Sequence, residues 1–275
     1  MKTLLVNNKK YRQSTQYMTE EIIEKLQSRG IEVLVDDGSQ TISDQELDNI
    51  IVLGGDGTML RAARTYGQGD LPILGINMGT VGFLSNIEIN EVDGYLDQFL
   101  QGDYTIDTMM MLEVNIYEQG VLASTSYCLN EVVIKARIPN MITLNYRINE
   151  QPCVPYKGDG LIFATPAGST AYSLSAGGPI VDPELEAIII TPVAPYTFSA
   201  FGQKPAVIAA SKVIRVTPPR FREALISLDG HVTMDFSYNN SIEIKKAHRG
   251  LKLANVKKVP FFSTINKRLK RSAGK

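Results

Sequence analysis

The sequence predicts an α/β domain followed by an all-β sandwich domain, and three observations carry that reading. Up to about residue 104, short β-branched runs alternate with stretches of helical periodicity, the pattern of a parallel, doubly wound sheet. After Tyr104, strand-like runs follow one another with turn residues and no helix between them, which suits antiparallel sheets packed face to face. The composition is that of a globular chain with a sizeable core: 275 residues, 44% hydrophobic and 21% charged.

Leu4-Leu5-Val6 is a short buried strand. From Ser14 to Arg29, Met18, Ile22, Ile23 and Leu26 fall on one helical face, and Gly30 follows as the C-terminal cap. Ile31 to Val35 is a second strand, closed by the turn Asp36-Asp37-Gly38. Ile50 to Leu53 is a third, and a helix from about Thr58 to Tyr66 follows it. Pro72 to Ile76 is a fourth strand, and residues 77–86 form a Gly-punctuated loop after it. Val92, Tyr95, Leu96, Phe99 and Leu100 mark a short helix that Gly102 ends.

Beyond it the expected strands are Leu112–Tyr117, Cys128–Lys135, Ile142–Ile148, Leu161–Ala164, Val213–Thr217, Ala224–Leu228 and Ile242–Lys246. Asn149-Glu150-Gln151 and Asn239-Asn240 read as hairpin turns. Residues 1–104 are thus expected as the α/β domain and 105–253 as the β-rich domain. The segment 254–275, helical from Phe261 to Arg271, is expected to pack back on the first domain.

Bulk properties exclude several classes. A net charge of −1 leaves no basic footprint for nucleic acid. The basic tail Lys267-Arg268 and Lys270-Arg271 reads as a solvated helix end. Two cysteines, Cys128 and Cys153, supply neither a disulfide framework nor a Cys-rich metal site, which suits a reducing cytoplasm. The N-terminus turns polar too soon for a signal peptide. No apolar run approaches the roughly 20 residues of a membrane helix, so no membrane partner is expected.

Chemistry is concentrated in three stretches. The first, Gly54-Gly55-Asp56-Gly57-Thr58, joins the third strand to the second helix. Its glycines let another molecule approach the backbone, and the helix N-terminus suits a phosphate. A carboxylate there repels a phosphate, so Asp56 either stabilises the helix start as a cap or does chemistry. Thr58 adds a hydroxyl donor, and Arg61, one turn on, adds a cation near the phosphates. Beside a polyphosphate, Asp56 can accept a proton from an attacking hydroxyl or hold Mg²⁺.

The second stretch is Asn130-Glu131, a polar pair inside an apolar run, which pattern alone leaves as a solvent-facing pair or as ligand contacts. The third runs from Tyr156-Lys157-Gly158-Asp159-Gly160 through Thr165-Pro166-Ala167-Gly168-Ser169-Thr170-Ala171-Tyr172-Ser173-Leu174-Ser175-Ala176-Gly177-Gly178. Its hydroxyls, aromatic and Gly-rich turns suit a polar ligand with ribose and amide edges, or equally a capped Ser/Thr-rich helix. No P-loop, no Gly-x-Gly-x-x-Gly opening a helix and no Gly-x-Ser-x-Gly elbow occurs. The two histidines, His231 and His248, leave little for a triad or a multi-His metal centre.

In this order the three motifs resemble the NAD kinase family, from about residue 50 to 235. Gly-Gly-Asp-Gly-Thr alone also occurs in diacylglycerol and sphingosine kinases, whereas the stretch from Gly158 to Pro179 is specific. The resemblance implies a Rossmann-like α/β domain, a C-terminal β-sandwich, substrate between them and homodimeric or homotetrameric assembly. It implies phosphoryl transfer from ATP or polyphosphate, with Mg²⁺, to the 2′-hydroxyl of the adenosine ribose of NAD, giving NADP. Asp56 matches the family's proton acceptor, with Gly57 and Thr58 beside it and Arg61 at a basic position. Asn130 and Glu131 match contacts to the adenosine part of NAD. Lys157 and Asp159 match ligand contacts, as do Thr170, Ala171, Tyr172, Ser173, Leu174 and Ser175 of the dinucleotide-binding segment, and Ala194. Phe83, in the second Gly-punctuated loop, is counted with the binding residues. No protein ligand to the metal is assigned. Two positions depart from the family pattern, Ala167 for Thr or Ser and His231 for Gln. The rival readings are a diacylglycerol-type lipid kinase and a non-catalytic NADP-binding protein.

Overall fold

The computed structural model describes residues 1–7, 13–39, 41–43, 46–78, 82–85, 87–138, 140–153, 155–196, 204–218, 224–257, 261, 263 and 265. The chain forms two compact units, residues 1–108 with 251–275, and residues 109–250.

In the first unit, β1 (Lys2–Val6), α1 (Gln13–Gln27), β2 (Glu32–Asp36), β3 (Asn49–Leu53), α2 (Asp56–Tyr66), β4 (Ile73–Asn77), β5 (Ile87–Glu88), α3 (Val92–Leu100) and β6 (Thr105–Met109) follow in order. Every residue of β3 and β4 is buried, because both faces of the sheet are covered, and this is why their sequences do not alternate. Ile22 and Leu26 of α1 and Leu96 and Phe99 of α3 pack into one core with Ile51 and Leu74. Gly30 ends α1 at φ +74°, a conformation that a side chain disfavours.

The strand order is β2-β1-β3-β4, continued by β20 (Leu251–Asn255) and β6. β1 pairs in parallel with both β2 and β3, and β3 with β4. The chain therefore runs outward from β1 to β2 and returns to β3 on the other side. Such a reversal opens a crevice at the carboxyl ends of β1 and β3, where doubly wound sheets bind ligands. The Gly54–Thr58 loop leaves β3 at that end.

The second unit is a sandwich of two antiparallel sheets. One has the order β11-β10-β16-β19-β7-β8, with β12 also on β10; the other has the order β15-β14-β13-β9-β17-β18. In the first sheet lie β7 (Leu112–Glu118), β8 (Val121–Cys128), β10 (Ile142–Ile148), β11 (Gln151–Pro152), β12 (Tyr156–Gly158), β16 (Ile214–Thr217) and β19 (Asn240–Lys246). In the second lie β9 (Glu131–Ala136), β13 (Gly160–Ala164), β14 (Ala187–Val193), β15 (Ala206–Ala209), β17 (Ala224–Leu228) and β18 (Val232–Phe236). Ile142, Leu144 and Tyr146 of β10 point into the core while Thr143, Asn145 and Arg147 are exposed, a half-buried alternation. The second sheet is covered on both sides: Ile134 and Phe163 face the sandwich core, and Val133 and Ile162 pack under Val181.

Three expectations change. Cys128–Lys135 is two strands, β8 and β9, broken at Leu129-Asn130. β14 escapes a sequence reading because Pro192 sits inside it, and proline removes a ladder donor. Helix α2 begins at Asp56, two residues before the expected start. Of the expected C-terminal helix, Phe261, Ser263 and Ile265 are helical and Ile265 is buried; its other residues lie outside the described ones.

Candidate active site

In the first unit the site is built on the junction of β3 and α2. Gly55 is the N-cap of α2 and Asp56 its first helical residue, so the aspartate does not cap the helix. Its carboxylate turns instead to the second glycine-punctuated loop. There it accepts the Phe83 N–H at 3.0 Å on Oδ1 and 3.2 Å on Oδ2, and the Leu84 N–H at 3.3 Å. A Cβ on Gly82 would collide with that carboxylate, so the approach of the two loops requires glycine. Gly54 is held by its N–H to the Ile76 carbonyl at 3.0 Å, and a Cβ there would strike the Thr58 side chain. Thr58 is buried, and the N–H groups of Asp56 and Gly57 lie in the first turn, where helix geometry leaves donors for a ligand. Residues 79–81 and 86 of the second loop lie outside the described ones.

Arg61 has another occupation. Its guanidinium bonds Asp36 Oδ2 at 2.7 Å and Oδ1 at 2.9 Å, and the Asn7 carbonyl at 2.7 Å. Asp36 is wholly buried and also accepts the Tyr66 hydroxyl at 2.8 Å. Burial pushes that hydroxyl up to about 12, so it keeps its proton and donates at neutral pH. The expected cation beside the phosphates is therefore an ion pair joining the ends of β1 and β2 to α2. Replacing Asp36 with Ala leaves a half-buried guanidinium without its counter-charge, and should cost about 3 kcal/mol of stability. Urea unfolding checks this, and an unchanged midpoint would refute it.

In the second unit the break between β8 and β9 carries the polar pair. Asp229, in the turn after β17, accepts N–H groups from Leu129 at 3.1 Å, Asn130 at 2.8 Å and Glu131 at 3.1 Å. Thr165 fastens the same bend from the end of β13, through its N–H to the Asn130 carbonyl at 2.9 Å and its hydroxyl to the Leu129 carbonyl at 2.6 Å. A Cβ on Gly168 would overlap the Asn130 carbonyl. Glu131 is 5% exposed, and its Oε2 meets no hydrogen-bond donor among the described residues. Burial first, and then the charge of Asp229, push its carboxyl up to about 7, against a hydrogen bond from the Tyr172 backbone.

The segment after β13 makes one 3₁₀ turn over Ala167–Thr170, breaks at Ala171 and makes one α-turn, α4 (Tyr172–Ser175). Tyr172 is 41% exposed, and Thr170, Ala171 and Leu174 are half-buried. Ser175 is exposed. Ser173 differs: it is fully buried, and its hydroxyl lies 2.8 Å from that of Thr191 on β14, so it braces the segment.

Lys157, Asp159 and Ala194 come together where β12 passes the end of β14. Asp159 donates its N–H to Val193 at 3.0 Å, and the Lys157 carbonyl accepts from Tyr196 at 3.0 Å. Lys157 Nζ sits 4.4 Å from the centre of the Tyr196 ring. Ala194 holds φ +47°, a strained turn in a non-glycine residue. Tyr156 ties this corner, donating to the Val193 carbonyl and accepting from the Gly160 N–H.

Sequence reasoning missed the roles of Asp36 and Asp229 and named Tyr156 only as the opening residue of the third stretch. Asp36 reads as a turn residue in Asp-Asp-Gly, Asp229 is not singled out, and the partners of both are remote in the chain. A concavity of about 790 Å³ lined by Tyr117, Arg147 and Arg215 opens on the other sheet of the sandwich and holds none of the motif residues. Arg215 is already paired with Glu150 and Glu243.

Comparison with known proteins adds the following. Residues 3–104 match the family model described as ATP-NAD kinase N-terminal domain, and residues 129–256 match ATP-NAD kinase C-terminal domain. The chain is 34% identical to the NAD kinase of Geotalea daltonii, over 92% of this chain and 93% of that protein. It is also 34% identical to the NAD kinase of Geobacter sulfurreducens, over 98% and 99%. A solved NAD kinase from Archaeoglobus fulgidus in complex with ATP superposes with a TM-score of 0.77 at 28% identity, covering 98% of this chain and 99% of that one. Yeast NADH kinase complexed with NADH superposes with a TM-score of 0.87 at 24% identity, covering 98% and 88%, a likeness of fold.

Proposed function

The chain belongs to the NAD kinase family, and from that premise we propose that it transfers the terminal phosphoryl group of ATP to the 2′-hydroxyl of the adenosine ribose of NAD, forming NADP. The observation that carries the mechanism is Asp56, which opens α2 yet leaves the capping position to Gly55 and is aimed by two loop amides. Asp56 takes the proton of the attacking hydroxyl. The N–H groups at the start of α2, beside Gly57 and Thr58, receive phosphate oxygens. Asn130, Glu131, Lys157, Asp159, Ala194 and the 170–175 segment hold the dinucleotide, with Ser173 acting through its backbone. Phe83 contributes by fixing Asp56. Such transfers depend on alignment and charge neutralisation more than on covalent help.

Among the described residues no three His, Cys, Asp or Glu side chains converge as a metal cage. Asp56 is the carboxylate that would stand beside a Mg²⁺ carried in with ATP. Such an ion would supply neutralisation of the phosphate charge. The likeness to an ATP-complexed NAD kinase supports ATP as donor. We further propose a homodimer or homotetramer working in the cytoplasm; the family resemblance supports the first, and a content of two cysteines, too few for a disulfide framework, supports the second. Neither the lipid-kinase nor the non-catalytic reading finds support in these matches.

The test is a dehydrogenase-coupled assay with NAD, ATP and Mg²⁺, with NADH and diacylglycerol as competing acceptors. NADP should form from NAD, and chelation of the metal should stop it. Phosphorylated diacylglycerol, or dinucleotide binding without turnover, would overturn the reading.

A further inference from the structure

Asp229 occupies a place that fold stability alone does not explain. It lies at φ +49° in the turn between β17 and β18, is 3% exposed, and is surrounded by three consecutive backbone donors from residues 129–131. The bond is reciprocal, since the Asp229 N–H donates to the Glu131 carbonyl at 3.0 Å. The result is a broken β8–β9 run and two acidic side chains buried near each other, one with an oxygen that meets no donor among the described residues. Burying a second carboxylate beside the first costs free energy that an uncharged turn residue would avoid. An arrangement of this kind is expected where a side chain is held for a ligand.

We propose that Asp229 is the positioning residue of the acceptor site: by clamping the Leu129–Glu131 backbone it presents the Asn130 and Glu131 side chains to the dinucleotide. This rests on reading those two side chains as acceptor contacts. Asp229 itself need touch no substrate. It acts through the bend, which Thr165 and Gly168 close from the other side. The charge acting on Glu131 is that of Asp229, and the donor packed against it from α4 is the Tyr172 N–H.

Two variants test the role. Asp229→Ala removes all three acceptor bonds and should raise KM for NAD about 30-fold. Asp229→Asn keeps one carbonyl oxygen, enough for the Asn130 and Glu131 N–H groups, and should raise it about 5-fold. KM for ATP should stay within about 2-fold in both. In Asp229→Asn the inflection of KM for NAD near neutral pH should move to lower pH, because the charge opposing Glu131 ionisation is gone. If Asp229→Ala does not fold, Asp229→Asn carries the test alone. Equal rises in both KM values, or a lower melting temperature with unmoved kinetics and pH profile, overturn the proposal. A wild-type protein that makes no NADP overturns the reading it rests on as well; wild-type turnover with an unmoved KM for NAD overturns only the role of Asp229.

Discussion

Asp56→Asn should fold, bind NAD and turn over at least ~10²-fold more slowly than the wild type, the usual loss when a positioned base is removed. The structure narrows what else the substitution changes. Helix α2 is capped by Gly55, so no cap is lost. The Asn carbonyl can keep the place of Oδ1, which accepts from Phe83 at 3.0 Å and Leu84 at 3.3 Å. Among the bonds to described residues, the 3.2 Å one from Phe83 to Oδ2 has no successor, and its loss should cost about 1 kcal/mol. Asp56→Ala is the poorer probe, because it also frees the 82–84 loop. The measurement is kcat in the coupled assay beside a thermal melt. Near-normal kcat with a lowered melting temperature would mean that Asp56 serves only to join the two loops.

The α/β half is legible in the chain because its signals are local. An apolar run with both faces buried, a glycine turn and an Ala/Leu helix announce themselves within about a dozen residues. The Gly54–Thr58 loop and the start of the helix after it follow from that grammar, and the acceptor is what the family resemblance of the long motif after Tyr156 implies. What the chain hides is the set of side chains that aim the site. Asp36 reads as a turn residue, yet it holds Arg61 from 25 positions away. Asp229 is not singled out by any sequence pattern, yet it reaches a backbone 99 positions away. Arg61 shows the converse error: a cation at the right spacing for phosphate is already neutralised by a partner that spacing cannot reveal. Exposed strands are hidden for a related reason. Val121–Cys128 is exposed along most of its length on a sheet edge, with Ser124, Thr125 and Ser126 at its middle, and there the backbone pairing to β7 makes the strand.

Glu131→Gln should make the protein more stable at alkaline pH and little changed at acid pH. The wild-type carboxyl sits at about 7 in the folded chain against an ordinary 4.5, chiefly through burial and secondly through Asp229. The folded state therefore holds this proton more tightly than the unfolded one. Below about 4.5 both states carry the proton and Glu131 exacts no penalty. As pH rises toward 7 the unfolded state ionises first and stability falls; above 7 the loss is complete, on the order of 3 kcal/mol. Glutamine cannot ionise, so that pH-dependent loss disappears. Its amide leaves a donor where Oε2 stood without a partner, which takes back about 1 kcal/mol. A net gain of about 2 kcal/mol at pH 8.5 should appear as a melting temperature several degrees higher, and the two proteins should converge near pH 5. Parallel melting curves across that range would show that Glu131 does not titrate between folded and unfolded states. Under the proposed role of Glu131 as a dinucleotide contact, the gain at high pH should come with weaker NAD binding. Stability and KM moving in opposite directions at one side chain is what separates a ligand contact from a packing residue.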